Sequence, residues 1–113
     1  MAAALFERLG YAIVERNYRT REGEIDLIAA RGATIVFCEV KALVARYGAP
    51  SAGPATPLEA VGPAKQRQVR RIARSWIAAG GRPGTRNIRF DVVAITLSPS
   101  GSVVSLDHLE GAF

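Results

Sequence analysis

Three charged residues stand inside two otherwise apolar segments, Asp26 in Glu-Ile-Asp-Leu-Ile and Glu39 and Lys41 in Phe-Cys-Glu-Val-Lys. A charge on an apolar strand is costly unless it is paired or binds a metal. Two carboxylates, with the Val40 carbonyl nearby, offer the oxygen ligands that Mg²⁺ and Mn²⁺ prefer. An amine beside them can hold a water or offset charge growing on a phosphate. The pattern indicates metal-assisted phosphodiester hydrolysis, with an ion pair at a strand end as the alternative.

These two segments are predicted to form a β-hairpin, because Arg31-Gly32 is the only break of turn type between them. Side chains alternate along a strand, so Glu39 and Lys41 share a face and lie roughly 7 Å apart. Asp26 joins that face only when the turn holds an even number of residues, as an Arg31-Gly32 turn does. The apolar residues on both faces predict a sheet covered by helices on both sides.

The spacing of the charged residues resembles a nuclease motif. Asp, twelve other residues and then Glu-Val-Lys is similar to the PD-(D/E)xK motif of nucleases with the restriction-endonuclease-like fold. Nearly the whole chain resembles the YraN family, small bacterial proteins also grouped as uncharacterised protein family 0102. The segments that carry this resemblance are Gly10-Tyr11, Glu15–Tyr18 with Arg19, Gly23–Ala29, Glu39–Lys41, Lys65-Gln66, Arg89–Ala94 and Ala112-Phe113.

This resemblance implies an α/β fold with a restriction-endonuclease-like αβββαβ core, a mixed sheet flanked by helices, and one added strand. It implies Asp26, Glu39 and Lys41 as catalytic residues, with Mg²⁺ or Mn²⁺ held by the two acids and the Val40 carbonyl. Gln66 is assigned a place near the metal-bound phosphate, with a capping role or a role that supports the metal ligands as the alternatives. The expected substrate is DNA, and branched and single-stranded forms are both open.

Two positions depart from the family pattern. Related proteins carry a Glu on the first helix at a position that falls before Met1, and Glu7 does not match its offset from Gly10. Leu43 stands where the family has an arginine, two residues after the motif lysine. A nucleic-acid-binding module without catalysis is therefore a second hypothesis, and a protein-interaction scaffold is a third.

The charge balance points to an anionic partner. Fifteen Lys and Arg against ten Asp and Glu give a net charge of +5, which favours nucleic acid. Tyr18 lies among arginines and could stack on a base, or pack against the sheet edge. Glu24 is expected to pair with one of these arginines, with a place as a further metal ligand as the alternative. The candidate nucleic-acid contacts are Arg19, Arg21, Arg67, Arg70, Arg71 and Arg74, with an ordinary solvated surface as the alternative.

Length and composition bound the rest of the interpretation. The 113 residues predict one domain, and 49% hydrophobic residues are enough for a core. The single cysteine, Cys38, is predicted to fill the core and fits a reducing cytoplasm. No apolar run reaches the ~18 residues of a membrane span. The sequence leaves the oligomeric state open.

The remaining elements follow from periodicity and breakers. They are a helix, a strand, a loop, a second helix and two strands over residues 2–9, 11–16, 17–23, 63–79, 88–97 and 103–106. In the first helix Leu5, Leu9 and Ala2 are expected to face the core. In the second helix an apolar stripe at helical spacing, which includes Ile72, Trp76 and Ile77, is expected to do so. Residues 47–62 hold three prolines and three glycines, which predicts an irregular connection, either a flap or a plain insertion. Asp91 is expected to pair with an arginine or backbone amides, and His108 to lie at the surface or form hydrogen bonds.

Overall fold

The computed structural model describes residues 1–44 and 61–113. Most of the connection predicted at 47–62 lies outside the described residues, and so does its suggested role as a flap. The described elements are α1 (Ala2–Arg8), β1 (Ala12–Thr20), β2 (Gly23–Arg31), β3 (Thr34–Val44), α2 (Pro63–Ala78), β4 (Asn87–Leu97) and β5 (Val103–Leu109). Their order agrees with the predicted helix, three strands, helix and two strands.

The five strands form one mixed sheet in the order β1-β2-β3-β4-β5. β3 and β4 run parallel, and all other neighbours are antiparallel. A parallel pair needs a crossover connection, and α2 lies within it. The predicted mixed α/β class is thus confirmed.

Each face of the sheet carries an apolar cluster, as the two-sided apolar pattern predicted. On one face, Ile72 and Trp76 of α2 pack with residues of β2 and β3; we call this the α2 cluster. On the other face, Phe6 of α1 and Tyr11 pack against Leu27 and neighbouring strand residues, forming the α1 cluster. The helices therefore cover opposite sides of the strands that carry the charged residues.

The buried stripe of the first helix agrees with the expectation for Ala2 and Leu5 but not for Leu9. Ala2 and Phe6 are its buried residues, whereas Leu9 is 39% exposed, so the expectation that Leu9 faces the core is wrong. The helix ends one residue early, and the chain turns at Gly10, whose φ is 89°. That turn places Tyr11 rather than Leu9 in the core. Neither described helix is long and apolar enough to cross a membrane.

β1 continues through residues whose polar composition predicted a loop. Tyr18 pairs with Ile25 and Arg19 pairs with Glu24, so the loop prediction is wrong for residues 17–20. Pairing with β2 supplies backbone hydrogen bonds to this segment, which composition alone does not reveal. Tyr18 packs against the α2 cluster, in agreement with the alternative of an aromatic residue at the sheet edge.

The turn between β2 and β3 consists of Gly32 and Ala33, because Arg31 pairs with Thr34. The turn predicted at Arg31-Gly32 is therefore wrong by one residue. Gly32 has a φ of 59°, a left-handed conformation that suits glycine at the first position of a tight hairpin turn. The turn still holds two residues, so the even count required for Asp26 is kept.

Candidate active site

The hairpin of β2 and β3 opens at the end away from its turn. Leu27 is the last residue of β2 that pairs with β3, so Asp26 and Glu39 stand opposite each other where the ladder stops. Ile25 packs in the α2 cluster while Leu27 packs in the α1 cluster, which means that β2 twists at Asp26. The Asp26 carboxylate lies in the opening, where its Oδ2 accepts a hydrogen bond of 2.8 Å from the Val40 amide.

Glu39 is buried beside this opening, with only 8% of its surface exposed. Its Oε1 atom finds no hydrogen-bond partner among the described residues. Burial, the negative charge of Asp26 and a hydrogen bond with that carboxylate raise the pKa of Glu39 to about 8, although the Lys65 charge opposes the shift. The two carboxylates therefore lie close enough to compete for positive charge, either a proton or a cation.

Two lysines lie around Glu39. Lys65, in the first turn of α2, places its Nζ 3.9 Å from Glu39 Oε2. Lys41 is exposed and lines the same cavity of about 260 Å³ as Glu39, Val40 and Lys65. Lys65 was not among the site residues predicted from the sequence. Helical phase indicates that Lys65 points toward the sheet, and that phase was the available signal.

The three motif residues meet at the strand ends, but the expectation that an even-numbered turn places Asp26 on the same face as Glu39 and Lys41 is wrong. Asp26 lines a second cavity of about 410 Å³ on the α1 side, together with Arg16, Asn17 and Val40. Val40 lines both cavities, and its amide is the atom that holds Asp26. Because β2 twists, the Asp26 carboxylate is accessible from the α1 side of the sheet and the Glu39 carboxylate from the α2 side. The two carboxylates nevertheless remain adjacent.

The donor set fits a hard divalent cation. Glu39 contributes a buried oxygen without a partner, and the Asp26 charge destabilises the ionised form of Glu39. A cation between the two acids would give the buried Glu39 oxygen a partner and would stabilise the ionised form of Glu39. Within residues 1–44 and 61–113, no group of three or more His, Cys, Asp or Glu side chains is placed to hold a metal. Protein carboxylates would thus supply two ligands, with other oxygens completing the set.

Gln66 forms no hydrogen bond with the two carboxylates. Its Nε2 donates a hydrogen bond of 2.8 Å to the carbonyl of Val61, which lines the same cavity as Glu39. This bond is not a side-chain cap of the α2 N-terminus, so the capping role is not observed, and the place of Gln66 near a bound phosphate stays a prediction. The hydrogen bond to Val61 fixes the entry into α2, and hence the position of Lys65 in the first turn.

The candidate nucleic-acid arginines differ in their surroundings. Arg19 forms an ion pair of 2.8 Å with Glu24, which confirms the expectation that Glu24 pairs with an arginine. Arg71 is 3.0 Å from a carboxylate oxygen of Glu22. Arg70 lies over the ring of Phe90. The exposed residues Arg21, Arg67 and Arg74 form no ion pair with an acidic residue of the described chain.

A second charged cluster is centred on Asp91, a fully buried residue of β4. Arg89 donates two hydrogen bonds of 2.8 Å to its carboxylate, the Gly111 amide donates one of 3.0 Å, and His108 Nε2 lies 2.7 Å away. Burial favours a raised pKa for Asp91, but these hydrogen bonds outweigh it and hold the pKa below its ordinary value. The predicted pairing of Asp91 and the hydrogen-bonded role of His108 are both confirmed.

Fold and site together define a small α/β protein whose mixed sheet carries paired carboxylates and lysines at the ends of its strands. The profile of the uncharacterised protein family UPF0102 matches residues 1–95. A UPF0102 protein of Geobacter sulfurreducens is 44% identical, covering 100% of this chain and 82% of that protein. Relatives from Syntrophus aciditrophicus and Streptomyces griseus are 46% and 39% identical, covering 94% and 98% of this chain and 78% and 87% of theirs. The chain belongs to the UPF0102 family.

Proposed function

We propose that this protein is a metal-dependent nuclease of the PD-(D/E)xK type, with a restriction-endonuclease-like core, that hydrolyses phosphodiester bonds in DNA. The observation that carries the proposal is the pairing of Asp26 and Glu39 at the opening of the hairpin, with Lys41 and Lys65 around the same acid. Ion pairs that only stabilise a fold do not need a buried acid placed next to a second acid. Sites that bind a cation do.

Asp26, Glu39 and the Val40 carbonyl would hold Mg²⁺ or Mn²⁺ in this proposal. Bound there, the ion would polarise the phosphate and lower the pKa of an attacking water. The buried Glu39 side chain, held by the β3 backbone and the first turn of α2, fixes where its carboxylate points. Asp26 is fixed by its hydrogen bond to the Val40 amide. The chain thus orients both acids before substrate arrives, which is the main protein contribution to such catalysis.

The two lysines complement the acids. Lys41 is exposed beside the cavity, where its amine can orient water or approach a phosphate oxygen. Lys65 is closer to Glu39, so its charge partly offsets the pair of carboxylates. Lys65 also lines the cavity, so its amine can contact a phosphate that enters it. An ammonium group near developing phosphate charge stabilises the transition state more than the ground state.

DNA is the preferred substrate because the net charge is +5 and three arginines of this surface have no acidic partner among the described residues. Cleavage of plasmid and branched DNA with Mn²⁺ tests the proposal by comparing the wild type with Asp26→Asn and Lys41→Ala. The exposed Asp107→Asn is the charge-matched control. Unchanged cleavage in both site variants would remove the mechanism.

A nucleic-acid-binding module without catalysis is the second candidate. The observation that favours it is the small set of protein ligands, because no group of three or more His, Cys, Asp or Glu side chains in the described parts of the chain is placed to hold a metal. DNA binding that weakens with salt, without cleavage under any divalent cation, would support this candidate over the nuclease.

A further inference from the structure

A groove lies between α2 and β4, away from the candidate active site. Two adjoining cavities, of about 210 and 190 Å³, share Ile77 and Ile88 and so form one continuous feature, which we call the α2–β4 groove. The groove residue of α2 nearest to Lys65 is Arg70, roughly 7.5 Å farther along the helix axis, and the groove shares no lining residue with the cavity at Glu39. The groove is therefore not an extension of the proposed catalytic cavity.

The floor of the α2–β4 groove is aliphatic and exposed. Ile77 is 38% exposed and Ile88 is 48% exposed, although both residues lie in regular elements beside the core. Periodicity predicted Ile77 as part of the buried stripe of α2, so its exposure is unexpected for a residue of this type. Adjacent exposed apolar side chains within a concave surface, rimmed by charge, are typical of an interaction site.

The rim of the groove is basic. Arg70, Arg74, Arg82 and Arg86 line it, and no Asp or Glu is among the described residues that line it. The Arg70 guanidinium lies 5.0 Å from the centre of the Phe90 ring and 5.8 Å from that of Phe113. Stacking occupies the face of a guanidinium and leaves its N–H groups in the plane free for a carboxylate. The stacked position also holds this donor in place before a partner arrives.

We infer that the α2–β4 groove docks a short amphipathic segment of a partner protein, with aliphatic anchors for the isoleucines and acidic residues for the arginines. Charge complementarity selects an acidic partner. A nucleic acid fits less well, because the Phe90 ring is already stacked with Phe37 and Phe113 and lies under Arg70, which leaves no free face for a base. A second copy of this chain also fits less well, since its net charge is +5.

Selection from a phage library of short random peptides tests this inference on the whole protein. Peptides are selected on the wild type and counter-selected on Ile88→Thr, which keeps a β-branched residue on the strand. The enriched peptides should combine aliphatic and acidic residues. Their affinity, measured by fluorescence anisotropy, should fall about tenfold with Ile88→Thr and with Arg82→Glu. The control Arg8→Glu, on α1, should bind as the wild type does.

Three results would overturn the inference. The first is enrichment of no peptide that distinguishes the wild type from Ile88→Thr. The second is equal peptide binding by wild type and Arg82→Glu. The third is loss of single-stranded DNA binding in these variants while peptide binding persists, which would assign the groove to nucleic acid. Thermal melting of both variants beside the wild type verifies that each one is folded. DNA cleavage is not a readout here, so failure of the proposed nuclease function would leave the test intact.

Discussion

At Glu39, burial and the neighbouring Asp26 charge act in the same direction, and the Lys65 ammonium group only partly offsets them. The side chain therefore holds a proton at neutral pH in the absence of a cation, and its ionised form is the unfavourable one. Structural acids are ordinarily arranged the other way, as Asp91 shows with its arginine, histidine and backbone partners. The contrast indicates that Glu39 belongs to a binding or catalytic site, whereas Asp91 stabilises the fold.

The first prediction concerns the metal-free protein and Glu39→Gln. The folded-state pKa is about 8 against an ordinary value of 4.5, so the folded protein binds more protons between these values. Stability of the wild type should therefore fall as pH rises through that window. The variant lacks this titration and should be more stable at pH 8, by on the order of a few kcal/mol, and similar near pH 5. Chemical unfolding across pH measures the difference, and a pH-independent difference would contradict the argument.

The second prediction concerns cation binding itself. Mg²⁺ or Mn²⁺ should raise the melting temperature of the wild type, because a ligand that binds only the folded state stabilises it by mass action. Asp26→Asn removes one of the two charges and should lose most of this increase. The exposed Asp107→Asn keeps the same net charge as the site variant and should retain it. An equal increase in all three proteins would indicate non-specific ion effects.

A third prediction addresses Lys65, which was not predicted from the sequence as a site residue. Lys65→Gln should reduce DNA cleavage by about a hundredfold, the usual cost of removing one transition-state donor. DNA affinity should change little, because one charge among many is removed. Single-turnover cleavage and anisotropy measure the two quantities separately. A parallel loss of affinity and rate would reassign Lys65 to substrate binding.

Among the elements, those with strong periodicity were predictable from sequence. β2, β3 and β4 read as apolar runs, and α2 as an apolar stripe at helical spacing, because burial on the sheet selects such patterns. The last four residues of β1 were not predictable, since pairing with β2 and not composition makes them a strand. The one-residue shift of the hairpin turn follows from the conformation of Gly32, which sequence allows at either turn position.

Part of the candidate site was likewise predictable from the sequence, and part was not. The alternation of Glu39 and Lys41 and the even-numbered turn are local properties, so sequence could place these residues near Asp26. The twist of β2 that opens Asp26 toward the α1 side depends on packing of Ile25 and Leu27 against different helices. Sequence does not encode this twist in a readable pattern. Lys65 approaches Glu39 only because α2 packs across the sheet, a tertiary relation that helical phase suggests but cannot locate.

At the level of elements, the Asp91 cluster joins β4 to β5 and to the chain after it. Asp91→Asn should destabilise the protein by about 3 kcal/mol at pH 7, because it leaves Arg89 without its buried partner. The pKa of Asp91 is lowered in the folded state, so its contribution is present above the unfolded value of 3.8 and is lost as pH falls through the folded value. The free energies of unfolding of wild type and variant, measured in urea, should therefore become similar in acid. A constant difference down to pH 3 would contradict this assignment.

Over the whole molecule, the basic surface is uneven because some arginines are already paired. Arg67→Gln, on the exposed side of α2 and outside the α2–β4 groove, should lower the slope of log affinity for DNA against log salt by about 1, as expected for loss of one phosphate contact. Arg71→Gln should lower it less, since Arg71 is already in an ion pair with Glu22. Binding titrations over a range of NaCl concentrations give these slopes. Equal slopes for both variants would show that the Glu22 pair does not persist in solution.

The long parallel crossover has a consequence for how the chain refolds. The β2–β3 turn is local, whereas the β3–β4 pairing joins Thr34 to Asn87 and closes slowly. Asp26 and Glu39 should thus come together before Lys65 reaches them, and the early hairpin carries their repulsion alone. The single tryptophan, Trp76, contacts Phe37 in the core and reports when α2 docks. Stopped-flow refolding followed by its fluorescence should therefore be faster in mildly acidic buffer, where Glu39 holds a proton.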